Sequence, residues 1–567
     1  MSRMSSFSTI CRGVIAVVAL VLIGAHGVGA QNIERDSADF ELAKSTEILA
    51  NMMREIDTQF VDRVSSADLL KRAAMGMVMA TDPYLEYLSE KDMTAFEMLT
   101  TGKYGGVGSL IRKRGDYVIF AQPYKGSPAD EAGIKIGDKI LAIDGKSMKG
   151  VGVETISSNL KGDPESDVKV TIERNIDGGE ETLTLRRRRI AIPSVPYAGI
   201  IREGVGYICH NDFIDGSYDE FRRSVEAMLA EGELKGLVLD YRSNGGGVMQ
   251  EAVDIASLFV PRGERVVSVM GRDSSSLYHY TTEHAPLVAD VPVVVLVSGS
   301  SASASEILAG ALQDLDRAVI MGSRTYGKGL VQGTHHVGYN SYLKITTAKY
   351  YIPSGRCIQA RDYSSMGSDG SVAHVPDSLI SQFVTRGGRK VYDGGGIVPD
   401  VEHEQEYVSR FALVLYSMGY MEDWADEYMR RHSGESVDVR TFTLSDEEYA
   451  DFCRFVEDKD IPYESDTRRA LTALRTAAEK ERYDEAIDGV LQGLEDMIKD
   501  DKMSNMQTYR NEIVKTLNYQ ILLRYAYQEG AMENAIIGDE MVSSAIDLIL
   551  NSEEYNRILR EQDLQMH

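Results

Sequence analysis

A serine attacks a peptide carbonyl only where a base takes its proton and N–H groups receive the developing charge, and two short segments hold the residue types for this. Residues 293–314 read VVVLVSGSSASASEILAGALQD: a buried-strand run, a turn of small polar residues, then helical spacing. Such a turn lies at the carboxyl ends of the strands of an α/β sheet. A serine there sits at a helix N-terminus, where backbone donors and the helix dipole favour negative charge. Ser303 is so placed, with the Ala304 N–H directed at a would-be oxyanion. The competing reading makes Ser300, Ser301, Ser303 and Ser305 ordinary helix caps.

The second segment shifts that balance. Residues 318–321 form a returning strand that leads into RTYGKGLVQ, and a right-handed crossover brings this turn to the same sheet edge as the first. Lys328, between two glycines, then reaches Ser303. To act as base it must be neutral, which an apolar pocket without a carboxylate partner achieves. Gln332 is uncharged and suited to orient the amine. A third turn, DYRSNGGG at residues 240–247, also follows a strand and opens a helix. Bare N–H groups in such a turn make Gly246 the favoured second oxyanion donor, with Gly247 close behind.

Other chemistries fit poorly. The Gly turn has neither the Lys-Ser or Lys-Thr of a phosphate loop nor the G-x-G-x-x-G spacing. No G-x-S-x-G elbow occurs, and HEQEY at residues 403–407 stops short of H-E-x-x-H. His335 and His336 fall in a β-like stretch and read as structural. The expected reaction requires no metal and no cofactor.

The elements that must position these residues divide a chain of 567 residues into several domains. Residues 1–30 have a signal-peptide layout: Arg3 and Arg12, an apolar run at 13–25, and Val28-Gly29-Ala30. Export is expected, to a bacterial periplasm, with Gln31 as the first mature residue; an uncleaved anchor is the competing reading. Residues 31–100 read as helical, with Leu42, Ile48, Leu49, Met52, Ile56 and Phe60 at three-and-four spacing. Residues 101–190 hold short β-type runs between Gly and Asp turns. Residues 191–400 alternate strand and helix, the pattern of parallel strands with crossovers. Residues 401–567 read as acidic amphipathic helix, giving an all-α domain.

That last segment carries 37 acidic and 18 basic residues, so it supplies −19 of the net −26. Such a balance argues against nucleic-acid binding. Cys209, Cys357 and Cys453, too widely spaced for a disulfide framework or zinc site, are expected to be free thiols.

At these residues the sequence resembles the carboxy-terminal processing proteases, also called tail-specific proteases. The shared pieces are Thr81-Asp82-Pro83-Tyr84 with Tyr87-Leu88, YGGVG at 104–108, GSPA at 126–129, GIKIGDKILA at 133–142, the turn at 240–247, residues 301–314 and YGKG at 326–329. The resemblance implies a PDZ domain inserted before a crotonase/ClpP-like catalytic core, with Ser303 as nucleophile, Lys328 as base and Gln332 assisting. It further implies that Gly106, Val107 and Gly108 grip a substrate's terminal carboxylate while the tail adds to a sheet edge. The expected partners are proteins with free apolar C-terminal tails. The alternative is an inactive PDZ adaptor; an acyl-CoA enzyme on the related core is the weaker third reading. The sequence has Ser-Asn-Gly-Gly-Gly where the family's common form is Asn-Asn-Pro-Gly-Gly. Asp314 matches a family position and reads as a structural helix-end carboxylate. The helical C-terminal domain is left to dimerisation, adaptor docking or neither.

Overall fold

The computed structural model describes residues 31–560, apart from 80, 83, 91, 94–95, 97–100, 362–374, 405, 407, 433 and 499–500. The expected signal peptide at 1–30 therefore lies outside the described residues, as does Pro83. The chain divides into two compact units, Met1–Tyr87 and Leu88–His567. In the first, the three-and-four spacing forms helices α1 (Gln31–Gln59) and α2 (Ser66–Met79), and Phe40, Leu42, Ile48 and Met52 are exposed. No helix among the described residues is long and apolar enough to cross a membrane.

The second unit begins with a small antiparallel domain. Its sheet has the order β2 (Ser109–Arg114), β3 (Tyr117–Pro123), β4 (Lys139–Ile143), β5 (Asp167–Glu173), β6 (Glu180–Arg186), so β2 is an edge strand. Val118, Phe120, Ile140, Val168, Val170 and Ile172 fill its core with Ile156 and Leu160 from helix α3 (Val153–Leu160). Two strands, β1 (Lys103–Gly106) and β7 (Arg188–Ala191), enter and leave this domain as an antiparallel ribbon.

The central sheet positions the candidate residues. Its order is β8 (Tyr197–Arg202), β9 (Val205–Cys209), β10 (Gly236–Asp240), β13 (Val293–Val297), β14 (Val319–Gly322), β17 (Val401–Glu402), all parallel from β9 onward. Every residue of β10, β13 and β14 is buried, which is why these strands read as unbroken apolar runs. One face is covered by helices α4 (Ser217–Glu231), α5 (Met249–Ala256) and α6 (Ala304–Asp314). Strands β15 (Leu330–Gly338), β16 (Ser341–Tyr351), β11 (Arg265–Met270) and β12 (Tyr278–Thr281) pair antiparallel in that order. Asp314 closes α6 by accepting from Arg356 at 2.9 Å and from the Ser354 N–H at 2.8 Å, a structural role as expected.

The remaining chain is helical: α7 (Arg410–Ser417), α8 (Tyr420–Arg431), α9 (Asp446–Glu457), α10 (Asp466–Glu481), α11 (Asp484–Met497), α12 (Lys502–Thr508), α13 (Arg510–Ile537), α14 (Glu540–Leu550) and α15 (Ser552–Arg560). Phe411, Trp424, Tyr449, Phe452, Ile513 and Leu517 make a core of their own. The helices do not form one separate body, because Met541, Val542, Ile546, Ile549 and Tyr555 pack on the second face of the central sheet. Gly236 leaves room for this: a Cβ there would stand 2.2 Å from Ile549. The Tyr555 hydroxyl donates to the Val293 carbonyl at 3.0 Å and accepts from its N–H at 2.9 Å. Cys209, Cys357 and Cys453 are free thiols.

Candidate active site

Three turns leave the carboxyl ends of adjacent parallel strands: 241–248 after β10, 298–303 after β13 and 323–329 after β14. This is where an open α/β sheet builds a site. The serines of the middle turn have distinct tasks. Ser298 Oγ donates to the Arg242 carbonyl at 2.5 Å, Ser301 Oγ to Tyr241 at 2.8 Å and Ser305 Oγ to Asn244 at 2.9 Å, so three of them fasten the middle turn to the Gly turn. Ser303 differs. It is half-buried rather than buried, and it holds φ 57° and ψ −114°, a left-handed conformation that costs a non-glycine residue about 1–3 kcal/mol. Strain of this kind turns a side chain out at the mouth of a strand-to-helix turn.

Two buried groups join the serine turn to the lysine turn. Glu306, one turn into α6, is fully buried. Its Oε2 accepts from the Ser303 N–H and from the Lys328 N–H, each at 2.9 Å. Its Oε1 accepts from Thr325 Oγ1 at 2.5 Å and from the Gly327 N–H at 2.7 Å. Burial pushes the carboxyl up to about 7, against the pull of these four donors. On the other side, the Tyr350 hydroxyl lies 2.6 Å from the Lys328 carbonyl and 3.2 Å from that of Ser303. The Tyr326 N–H also donates to the Ser301 carbonyl at 3.1 Å. Ser303 and Lys328 are thus brought together by their backbones, and both residues remain partly exposed.

Gly246 packs closely at the serine turn. It lies against the serine: a Cβ there would stand 2.7 Å from the Ala302 carbonyl oxygen, 2.8 Å from Ser303 Cβ and 3.0 Å from the Ala304 nitrogen. Its N–H, however, donates to Asn244 Oδ1 at 2.8 Å, so in this conformation that donor is spent inside the turn. The buried Asn244 also donates to the His210 carbonyl at 2.8 Å, and its carbonyl receives the Ala302 N–H at 3.1 Å. Ala304, the first residue of α6, has an N–H that no intrahelical acceptor can serve. Gly246→Ala would push on the Ser303 turn from φ +102° and is expected to lower kcat about 100-fold, checked by steady-state cleavage alongside thermal unfolding.

Gln332 lies on β15, which leaves the lysine turn, and its amide donates to Thr346 Oγ1 at 3.3 Å. His210 is fully buried, which drives it down to about 3, and its Nδ1 lies 3.2 Å from the Tyr241 hydroxyl. Gly106 closes β1, and Val107 and Gly108 form the link to the edge strand β2. The Val107 carbonyl accepts from Ala129 at 2.9 Å and that of Gly108 from Tyr124 at 3.0 Å, which fixes this loop against the helical turn Pro128–Glu131. Gly108 has φ +74°, and a Cβ on it would stand 2.4 Å from Ser127. Sequence reasoning did not single out Glu306, Tyr350 or Asn244. The Ser-x-x-Glu spacing of 303 and 306, a helix-start signature, pointed to Glu306, while nothing local pointed to Tyr350.

Comparison with known proteins gives three family matches in chain order: a PDZ domain over residues 119–174, peptidase family S41 over 204–365, and the probable PDZ-protease C-terminal helical domain over 411–549. A probable CtpA-like serine protease of Staphylococcus aureus (strain bovine RF122 / ET3-1) is 32% identical over 63% of this chain and 70% of its own length. A carboxy-terminal-processing protease of Bartonella bacilliformis is 31% identical over 65% of this chain and 83% of its own. Among solved structures, a photosystem II D1 C-terminal processing protease aligns at 27% identity over 63% of this chain and 87% of that one, with a TM-score of 0.34.

Proposed function

Because the chain belongs to the carboxy-terminal-processing proteases and is a PDZ-containing serine-type peptidase, we propose that it cuts exported proteins near their C-termini with Ser303 and Lys328 as a dyad. The observation that carries this reading is the shared Glu306 oxygen, which receives the backbone N–H of both residues at 2.9 Å. Neutral Lys328 takes the Ser303 proton as Oγ bonds to the scissile carbonyl carbon. The proton then passes to the leaving amine as the C–N bond breaks, and water releases the acyl group by the reverse use of the same base. Gln332 orients the lysine amine. The Ala304 N–H and Gly246 N–H hold the oxyanion, and for Gly246 this requires its peptide to turn away from Asn244 Oδ1. No cofactor takes part in this scheme.

Substrate capture falls to the PDZ domain. The N–H groups of Gly106, Val107 and Gly108 receive the terminal carboxylate, and an apolar tail adds to the edge of β2 against α3. The core fits a crotonase/ClpP-like arrangement, with domain limits near residues 31, 101, 191 and 401 and a periplasmic location after removal of residues 1–30. The helical domain serves self-association or adaptor docking.

The test is cleavage of an unstructured protein that ends in apolar residues, against the same protein amidated at its C-terminus. Amidation removes the charge the loop receives, and kcat/KM is expected to fall at least tenfold through KM, consistent with the loss of a charge-assisted contact worth about 1.5–3 kcal/mol. Equal cleavage of both forms would refute tail capture by this loop.

A further inference from the structure

Strand β2 does more than border the proposed tail groove. Ile111 points into its own domain's core, so Leu110, Arg112 and Arg114 point the other way. Arg112 pairs with Glu422 and Arg114 with Asp423, both on α8 of the helical domain. Arg114 also lies 4.0 Å from Asp426, whose other oxygen receives Arg524 Nε at 2.7 Å. Two arginines thus meet three carboxylates across one domain boundary, with Arg524 of the helical domain sharing Asp426, and Glu422 and Asp426 are each only 10% exposed.

The same boundary holds an apolar contact and a void. Ile136 reaches the cluster of Leu522, Leu523 and Ala531, and beside it a cavity of about 450 Å³ opens between Ile134, Arg174, Met429 and Tyr525. Ion pairs at a boundary that also holds a void are rehydrated when it opens, unlike an apolar seam. Helix α13 is bent at this place. Ala526 has φ −134° and Tyr527 has φ 56° and ψ −164°, a region almost confined to glycine. The residues at and after the bend face the PDZ domain: the Tyr527 hydroxyl donates to Asp130 at 2.9 Å, Gln528 receives Gln122 at 3.0 Å, and Glu529 lies 3.6 Å from Lys125. A strained bend persists only where its surroundings hold it.

We propose that the PDZ domain is held on the helical domain by a reversible ionic latch, Arg112 and Arg114 against Glu422, Asp423 and Asp426, with the bent segment of α13 as its seat. With the β1/β7 ribbon, the latch gives the PDZ domain two attachments, one fixed and one releasable. Its release frees the domain to swing on the ribbon. The latch stands whether or not Ser303 is the nucleophile; its effect on delivery of a captured tail rests on the reading of β2 as the tail-binding edge.

The experiment places cysteines at the exposed pair Lys125 and Glu529 (K125C/E529C) in the full chain and follows their joining by a short bis-maleimide. The parent is expected to crosslink readily. Adding R112E/R114E should lower the crosslinking rate at least tenfold, and E422R/D423R in that background should restore it with the charges exchanged. Raising salt to about 1 M, where the screening length is about 3 Å, should slow the parent severalfold. A parent rate in the R112E/R114E variant, no recovery on exchange, or a parent indifferent to salt would each overturn the latch. If the first variant does not fold, the exchanged variant and the salt series still decide it.

Discussion

Alanine in place of Ser303 or of Lys328 is expected to lower kcat/KM on a tailed substrate by about 10⁴-fold or more, with the double variant no worse than the poorer single one. Nucleophile and base act as a unit, so once one is gone the other has nothing left to do. These substitutions should not unfold the site. What holds Ser303 and Lys328 in place is their backbone, fastened by Glu306 and by the Tyr350 hydroxyl, and alanine preserves every one of those bonds. Alanine at 303 also meets the same left-handed strain that serine does. Melting temperatures within a degree or two of the parent, together with the lost turnover, would establish the roles. Undiminished turnover in either single variant would remove that residue from the mechanism.

The second large effect belongs to Glu306→Gln. Each carboxylate oxygen accepts two donors, so whichever side the amide nitrogen takes, its hydrogens face two others. The expected result is a fall in kcat of about 100-fold or more with little change in KM, because these hydrogen bonds position Ser303 and Lys328 rather than the substrate. A structural carboxylate unrelated to the turns would change stability and leave kcat alone. Stability against pH gives an independent reading. Burial raises the folded Glu306 to about 7 from its ordinary 4.5, so between those values the folded protein keeps a proton that the unfolded chain has released. Its contribution is full below pH 4.5 and is lost as pH rises through about 7, roughly 3 kcal/mol in all. The Gln variant does not titrate there, so its unfolding free energy should fall less over this window. Parallel curves for parent and variant would refute the assignment.

The strands of the central sheet could be read from the sequence because β10, β13 and β14 are buried on both faces and so are apolar throughout. The parallel alternation with a right-handed crossover puts the Ser303 and Lys328 turns on one edge. The direction of a single N–H was not legible. The Gly246 N–H donates to the side chain of Asn244, two residues back, a direction that residue types and spacing do not display. Tyr350 was equally hidden, since it comes from β16, a strand that belongs to a different sheet. The acidic helices after residue 401 were clear as helices, yet the packing of Ile546, Ile549 and Tyr555 on the central sheet depends on residues far apart in sequence. Charge counts showed an acid excess there but not that Glu422, Asp423 and Asp426 face arginines of the PDZ domain.

The Tyr555 clasp on Val293 and the seating of Ile549 over Gly236 set an order of events in biosynthesis. The strands that carry the Ser303 and Lys328 turns are made long before the helices that cover their second face. Until α14 and α15 emerge, Val238, Val294, Leu296 and Val319 lack the apolar cover those helices bring to that side. A chain made from its N-terminus therefore receives the cover on the second face of this sheet only after both turns have been made.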